Sequence, residues 1–274
     1  MLPNVIPILT SDTPSPGVYE VANEAYHAGP GVSSTTIKKI LRSPAHAKIR
    51  GESTPAMALG TALHEAILEP EVFAEKYVRW SGGRRAGMAW DEFQGYALVL
   101  KQTILTEDEW GALQGMQASF AASAIWDKLR IGHREIAAYA IDAPTGLLVK
   151  AKADLLHEDI IVDIKTTDDA TPEAFQRAIV NYGYHISARY YIDVFNAALK
   201  GDHYVTFVWA VVEKKPPHGL RYYYASQAML DIGFKEYSKA LELYGECEKT
   251  NNWPAYADTF EPIELPTYVT RKYE

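Results

Sequence analysis

Two acids and a lysine carry the strongest chemical signal in the chain. Asp163 and Lys165 stand two positions apart in VDIKTT, residues 162–167, directly after Ile160 and Ile161. Successive side chains of a strand point to opposite faces, so Asp163 and Lys165 share one face while Val162 and Ile164 take the other. A carboxylate and an ammonium inside a sheet are costly unless they pair or do chemistry, so they form a structural ion pair or half of an active site. Asp154, in KAKADLL, lies on the preceding strand, and the HED turn between them sets the two strands side by side. The acids then converge at one edge of the sheet, where they repel each other and call for a cation. Carboxylate oxygens suit Mg2+, which keeps water or substrate phosphates in its other positions. Lys165 beside them could hold an attacking water or stabilise charge on a pentavalent phosphorane. An Asp, a second Asp nine positions on, any residue and a Lys form a pattern that serves metal-assisted phosphodiester hydrolysis.

The elements that position these residues follow from periodicity and punctuation. HREIAAYAID, LLVKAKADLL and IIVDIKTT are predicted as three strands joined by tight turns at APTG and HED, an antiparallel meander. Thr171 and Pro172 open a helix. YGYHISARYYIDVFNAALKG gives a second helix stopped at Gly201. HYVTFVWAVVEKK and LRYYYASQ are predicted strands, AMLDIGFKEYSKALELYGECEKT a long amphipathic helix, and the tail after Trp253 irregular. Upstream, GVSSTTIKKILRSP predicts a Ser- or Thr-capped helix ended by Pro44. A helix from Met57 follows, with Leu59, Leu63, Ala66 and Ile67 at helical spacing and its end at Pro70. WSGGRRAGMAWDEF is predicted as a loop, and residues 91–130 as two helices. These break near TEDEW, where Thr106 and Glu109 have capping-box spacing. The expectation is one α/β (α+β) domain without internal repeats: an extended arm over 1–31, a helical portion over 32–130, a mixed central sheet with flanking helices over 131–248, and a tail over 249–274.

Composition narrows the function classes. The 274 residues are 47% hydrophobic, enough for one large core. The single cysteine, Cys247, excludes an intramolecular disulfide framework, a four-cysteine zinc site and an iron–sulfur cluster, and fits a reducing compartment. No run approaches 18 apolar residues and the start lacks a basic signal-peptide region, so a cytoplasmic protein without a membrane partner is expected. The net charge of −8 argues against bulk attraction to nucleic acid but leaves room for a local basic patch.

GVYEVANEAYHAGPGVSSTTIKKIL, LGTALHEAILEPEVFAEKY, AKADLL, IIVDIKTTDDATPEAF and YGYHISARYY occur in this order. Together they resemble the nuclease domain of the RecE family, exodeoxyribonuclease VIII. That family belongs to the PD-(D/E)xK superfamily with its restriction-endonuclease-like core, alongside the lambda and RecB-type nucleases. The resemblance spans about Gly17 to Trp253. It implies that Asp154 and Asp163 are the metal-binding acids, Lys165 the catalytic lysine, Ile164 a backbone-carbonyl ligand and His64 an added helix ligand. HEAIL lacks the second histidine of a zinc-protease helix, which excludes that alternative for His64 and Glu65. Glu135, on the first meander strand, matches a position where the family also carries an acidic residue and could bind a second metal, directly or through water; a surface glutamate is the plain alternative. RecB-type nucleases often carry Gln followed four residues later by Tyr on the helix after the catalytic strand. Here Ser187 stands in place of the Gln while Tyr191 is retained, with His185 and Arg189 as neighbours that could cover the lost contact.

For DNA contacts, Arg84 and Arg85 sit in a Gly-rich loop between Trp80 and Trp90, where guanidinium groups could grip phosphate and aromatic rings wedge a DNA end. Lys152 shares the parity of Asp154 and could reach the scissile strand. Ser33 and Ser34 could cap a helix or bind phosphate at its start, capping being the simpler role. The resemblance implies a Mg2+-dependent exonuclease (Mn2+ substituting) that degrades one strand of duplex DNA from its end, 5′ to 3′. Such an enzyme releases 5′-mononucleotides and works as a ring-like homotetramer beside a RecT-type single-strand annealing protein. The alternatives are a structure-selective endonuclease on the same fold and a non-catalytic DNA-end-binding protein with a decayed site.

Overall fold

The computed structural model describes residues 2, 6–10, 13–49 and 55–273. The segment read as an extended arm contributes a strand, β1 (Gly17–Glu20), and a short helix, α1 (Asn23–Ala28). Next come α2 (Ser34–Arg42), α3 (Pro44–Ala47), α4 (Pro55–Leu68) and α5 (Pro70–Lys76), so Pro70 opens a helix rather than only closing one. The expected loop and two helices resolve into more pieces: β2 (Tyr77–Trp80), α6 (Met88–Val99), β3 (Thr103–Thr106), α7 (Glu107–Ala121) and α8 (Ala124–Leu129). The meander is β4 (His133–Ile141), β5 (Leu148–His157) and β6 (Ile160–Thr167). α9 (Pro172–Tyr182) and α10 (Tyr184–Leu199) cross over to β7 (Thr206–Glu213) and β8 (Leu220–Tyr224), followed by α11 (Gln227–Thr250) and α12 (Thr267–Thr270).

The main sheet runs β1-β4-β5-β6-β7-β8. Its strands are antiparallel except for β6 and β7, which are parallel and therefore need the helical crossover through α9 and α10. Small residues decide how closely that crossover packs. Ala138, Ala140, Ala151 and Ala153 are almost fully buried in one core cluster with Ile186, Ala188 and Tyr190 of α10. Side chains that barely rise above the sheet let a helix carrying tyrosines lie directly on it. On the opposite face Val162, Ile164, Ala210 and Val212 pack with Leu63 of α4 and Leu113 and Met116 of α7. Val162 and Ile164 thus take the face that strand alternation assigns them. The start of α7 is fixed by the anticipated capping box: Glu109 N–H donates to Thr106 Oγ1 at 3.1 Å, and Thr106 N–H to Glu109 Oε2 at 2.7 Å.

β7 also supports the acids directly. Trp209 is 1% exposed and stands in parallel register with Asp163. Trp209→Ala is expected to cost about 3–5 kcal/mol, the usual range for deleting a buried aromatic ring. A urea melt would read this as a lower midpoint at unchanged slope. A loss under about 1 kcal/mol would show that the core beside Asp163 recloses around the cavity.

Candidate active site

Two breaks in hydrogen-bonded pairing set up the site. The β5–β6 register runs from His157 with Ile160 to Leu155 with Val162 and goes no further. The β4–β5 register passes from Arg134 with Leu155 to Ile136 with Ala153, skipping Glu135 and Asp154. Asp154 therefore sits where both neighbouring ladders lapse. Its carboxylate takes over a backbone partner, accepting the Ile164 N–H at Oδ2 over 2.7 Å. Glu135 has φ 54°, a left-handed conformation that costs a non-glycine residue about 1–3 kcal/mol.

His64, on α4, closes the arrangement. Its Nδ1 lies 3.5 Å from Asp154 Oδ2 and its Nε2 2.9 Å from the Ile164 carbonyl oxygen. Burial pushes the imidazole pKa down, but the Asp154 carboxylate overrides this and raises it to about 9. His64 is therefore an imidazolium at neutral pH, donating to the Ile164 carbonyl and facing Asp154. Burial also pushes Asp154 up, and His64 more than reverses that, holding the carboxyl below the ordinary range. Glu135 goes the other way: burial and then Asp154 raise it, against the pull of Lys152. Ligand atoms of His64, Glu135 and Asp154 lie within 4.8 Å of one another. One imidazole and two carboxylates is a donor set that divalent metals accept, and it includes Glu135, the acid whose surface alternative now falls.

Asp163 forms an ion pair with Lys165 next to this cluster. Burial raises the Asp163 pKa, Lys165 lowers it, and Asp154 raises it further, for a net upward shift. Burial would lower Lys165, yet Asp163 and Asp154 hold it well above the ordinary lysine value, so its charge is permanent. The ion pair and the site are thus one structure. The Lys165 ammonium also lies 5.3 Å from the centre of the Tyr184 ring on α10. Tyr184, Ser187 and Tyr191 follow at i, i+3 and i+7 and so share a face of that helix. Tyr191 is raised to about 12 by burial and then by Asp163, against the opposite effect of the Ser34 side chain, so it is a neutral phenol.

Several expected roles change. Ser34 is 6% exposed, while Ser33 caps α2 by accepting the Thr36 N–H at 3.3 Å. Lys152 does not reach outward to a DNA strand. Its three N–H donors go to Glu135 at 2.9 Å, the Val21 carbonyl at 3.1 Å and Asn23 Oδ1 at 2.6 Å, which makes it a positioning residue for Glu135. His185 and Arg189 do not cover the place of the missing glutamine: they pair with Glu236 and Asp193 at 2.9 and 2.8 Å. The side chain from α10 that meets Lys165 is Tyr184, a contact the sequence reading missed although helical spacing from Tyr191 would have pointed to it.

The Gly-rich loop contacts β3 and the first turn of α7. Arg85 braces it internally, donating to the Ile104 carbonyl at 3.1 Å, standing 3.7 Å from Glu109 and lying over Trp90. Trp80 and Trp90 pack edge to face on each other, so neither ring is free to wedge a DNA end. Gly82 is required there, because a Cβ would sit 2.2 Å from the Trp80 ring. Arg84 alone of the pair is fully outward, exposed and without an ion-pair partner among the described residues.

Among the described residues no helix is long and apolar enough to cross a membrane. No curated protein matches the chain in sequence. In fold it is similar to a crystal structure of a candidate exonuclease from Eubacterium rectale, at TM-score 0.54 and 12% identity, covering 86% of this chain and 91% of that one. A sequence profile for the family described as PDDEXK-like domain of unknown function matches residues 33–266, a span that holds α2, both acids, Lys165 and every strand from β2 to β8. The mixed sheet brings Asp154, Asp163 and Lys165 together on adjacent strands, and the chain belongs to that PDDEXK-like family, DUF3799, within the PD-(D/E)xK nuclease superfamily.

Proposed function

We propose that the protein is a divalent-metal-dependent exonuclease that enters duplex DNA at an end and degrades one strand 5′ to 3′. It would release 5′-mononucleotides and leave a 3′ single strand for annealing. The observation that carries the hydrolytic reading is the Asp163–Lys165 pair set against the His64, Glu135 and Asp154 cluster on a PD-(D/E)xK core. Mg2+, with Mn2+ substituting, would be held by His64, Glu135 and Asp154, with Asp163 and the Ile164 carbonyl beside them. When bound, such an ion supplies a Lewis acid for a phosphoryl oxygen and a water of lowered pKa. The chain's own groups do the rest. Lys165, fixed in its charged form, orients the attacking oxygen and offsets charge growing on the phosphoryl group. Asp163 fixes the ammonium in place, and the Tyr191 phenol stays a hydrogen-bond donor at any pH below about 12. Exonuclease action, its 5′ to 3′ direction, a homotetrameric ring, a RecT-type annealing partner and a cytoplasmic setting rest on the RecE resemblance of the quoted segments.

The test uses linear duplex DNA labelled separately at its 5′ and 3′ ends, with and without Mg2+, beside a closed circle of the same sequence. Early Mg2+-dependent loss of the 5′ label with the circle intact is expected. Nicking of the circle would replace the exonuclease by an endonuclease. An uncut but gel-shifted linear duplex would leave an end-binding protein.

A further inference from the structure

With no role assigned so far, a groove of about 1020 Å³ runs between α2, the α9–α10 junction and α11. Its charge is lopsided. Lys38, Arg42, Lys235 and Lys239 line it against one acid, Glu236, and that acid is bonded to His185 at 2.9 Å. Four cations facing one occupied carboxylate stand out in a chain of net charge −8. Among the described residues, Lys235 and Lys239 have no ion-pair partner. The floor between the cations is apolar, formed by Ile179, Ile186 and Met229, and Val180 and Ile232 on the rim are 71% and 52% exposed.

A chain of contacts links the groove wall to the catalytic cluster. Lys38 lies against Gly183, where a Cβ would come within 2.9 Å of its Cδ. The residues on either side of Gly183, Tyr182 and Tyr184, stack at 5.5 Å, and Tyr184 carries the Lys165 ammonium over its ring. Burial and then Lys165 lower the Lys38 pKa to about 8 against the opposite effect of Asp163, so this lysine is within electrostatic reach of both residues.

We propose that this groove is a binding site for an unpaired DNA strand, continuous with the position of the scissile phosphate at Asp163 and Lys165. The inference deepens the nuclease reading and rests on it. A duplex turns phosphates outward and stacks its bases within, so it has little to offer an apolar floor. A single strand presents backbone charge and base faces together, which matches cationic walls over an apolar floor. An apolar protein helix would cover the floor but leave four cations unneutralised. The groove therefore acts where the strands have parted, holding the strand that runs to the catalytic acids.

The test is fluorescence anisotropy with a labelled oligo-dT of about twenty nucleotides in EDTA, where nothing is cut. The K235Q/K239Q variant is compared with the K101Q/K128Q variant, which removes equal charge away from the groove. All four lysines are exposed, so neither pair disturbs the core. At about 100 mM salt the groove variant is expected to bind about tenfold more weakly, with a log–log salt slope shallower by about 1.4, two contacts at about 0.7 each. The distant pair should stay within about twofold of the unmodified protein. Equal weakening by both pairs, or none by the groove pair, overturns the proposal. A protein that cuts DNA ends while its groove variant binds oligo-dT normally keeps the nuclease reading and loses this site. One that binds oligo-dT through Lys235 and Lys239 but never cuts keeps this site and loses the nuclease reading.

Discussion

Asp163→Ala is expected to lower cleavage of linear duplex DNA by about a thousandfold or more, the loss seen when a group that acts only in the transition state is removed from a unit. Asp163 holds the Lys165 ammonium and, with Asp154, keeps it charged. Without the carboxylate, Lys165 loses its ion-pair partner in a partly buried setting and is free to swing toward Asp154. A buried charge stripped of its partner also destabilises the fold, by about 3–5 kcal/mol when burial is deep and less here, where the Lys165 side chain is 24% exposed. The double variant D163N/K165M removes both charges together and separates chemistry from folding. It should melt close to the unmodified protein and still fail to cut. Because His64, Glu135 and Asp154 remain, divalent ions should still raise the melting temperature of either variant. Cleavage by Asp163→Ala at the unmodified rate would place the reactive centre elsewhere.

The placement of the candidate residues was legible in the sequence to the extent that they sit on consecutive strands. Asp154, Asp163 and Lys165 are joined by one tight turn, so alternation and a short connection are enough to bring them together. The capping box of α7 was legible for the same reason, since Thr106 and Glu109 are local partners. What escaped depends on long-range packing. Lys38 and Tyr184 approach Lys165 from helices far apart in the chain, and only the closeness with which α10 lies on the alanines of β4 and β5 makes them neighbours. β1, β2 and β3 are four residues each, too short to show a period, and gain their stability from partners elsewhere in the chain. Lys152 had the right parity for the site, yet parity says nothing about acceptors behind it. The Val21 carbonyl and Asn23, in the segment read as an arm, draw its ammonium away from any DNA.

Metal binding and pH should be coupled with a definite sign. The His64 pKa in the folded protein is about 9, against about 6.5 unfolded, so its charged contact with Asp154 contributes fully below pH 6.5 and is lost as pH rises to 9. The metal-free protein should therefore lose up to roughly 3.5 kcal/mol between these limits, from 2.5 pH units at about 1.4 kcal/mol each. Asp154, depressed by the same contact, reports that interaction from its other end and adds nothing further in this window. A divalent ion at His64 needs the neutral imidazole, so binding must expel that proton. Apparent affinity should then climb about tenfold per pH unit from 7 to 9 and level off above. Calorimetric titration with Mn2+ at pH 7.5, repeated in two buffers of different ionisation enthalpy, should show release of about one proton per ion. His64→Asn should abolish both the proton release and the alkaline loss of stability in the metal-free protein. Release of no proton, with affinity flat from pH 7 to 9, would mean that the ion is held by the carboxylates alone and that the imidazolium stays bound to Asp154 and the Ile164 carbonyl throughout.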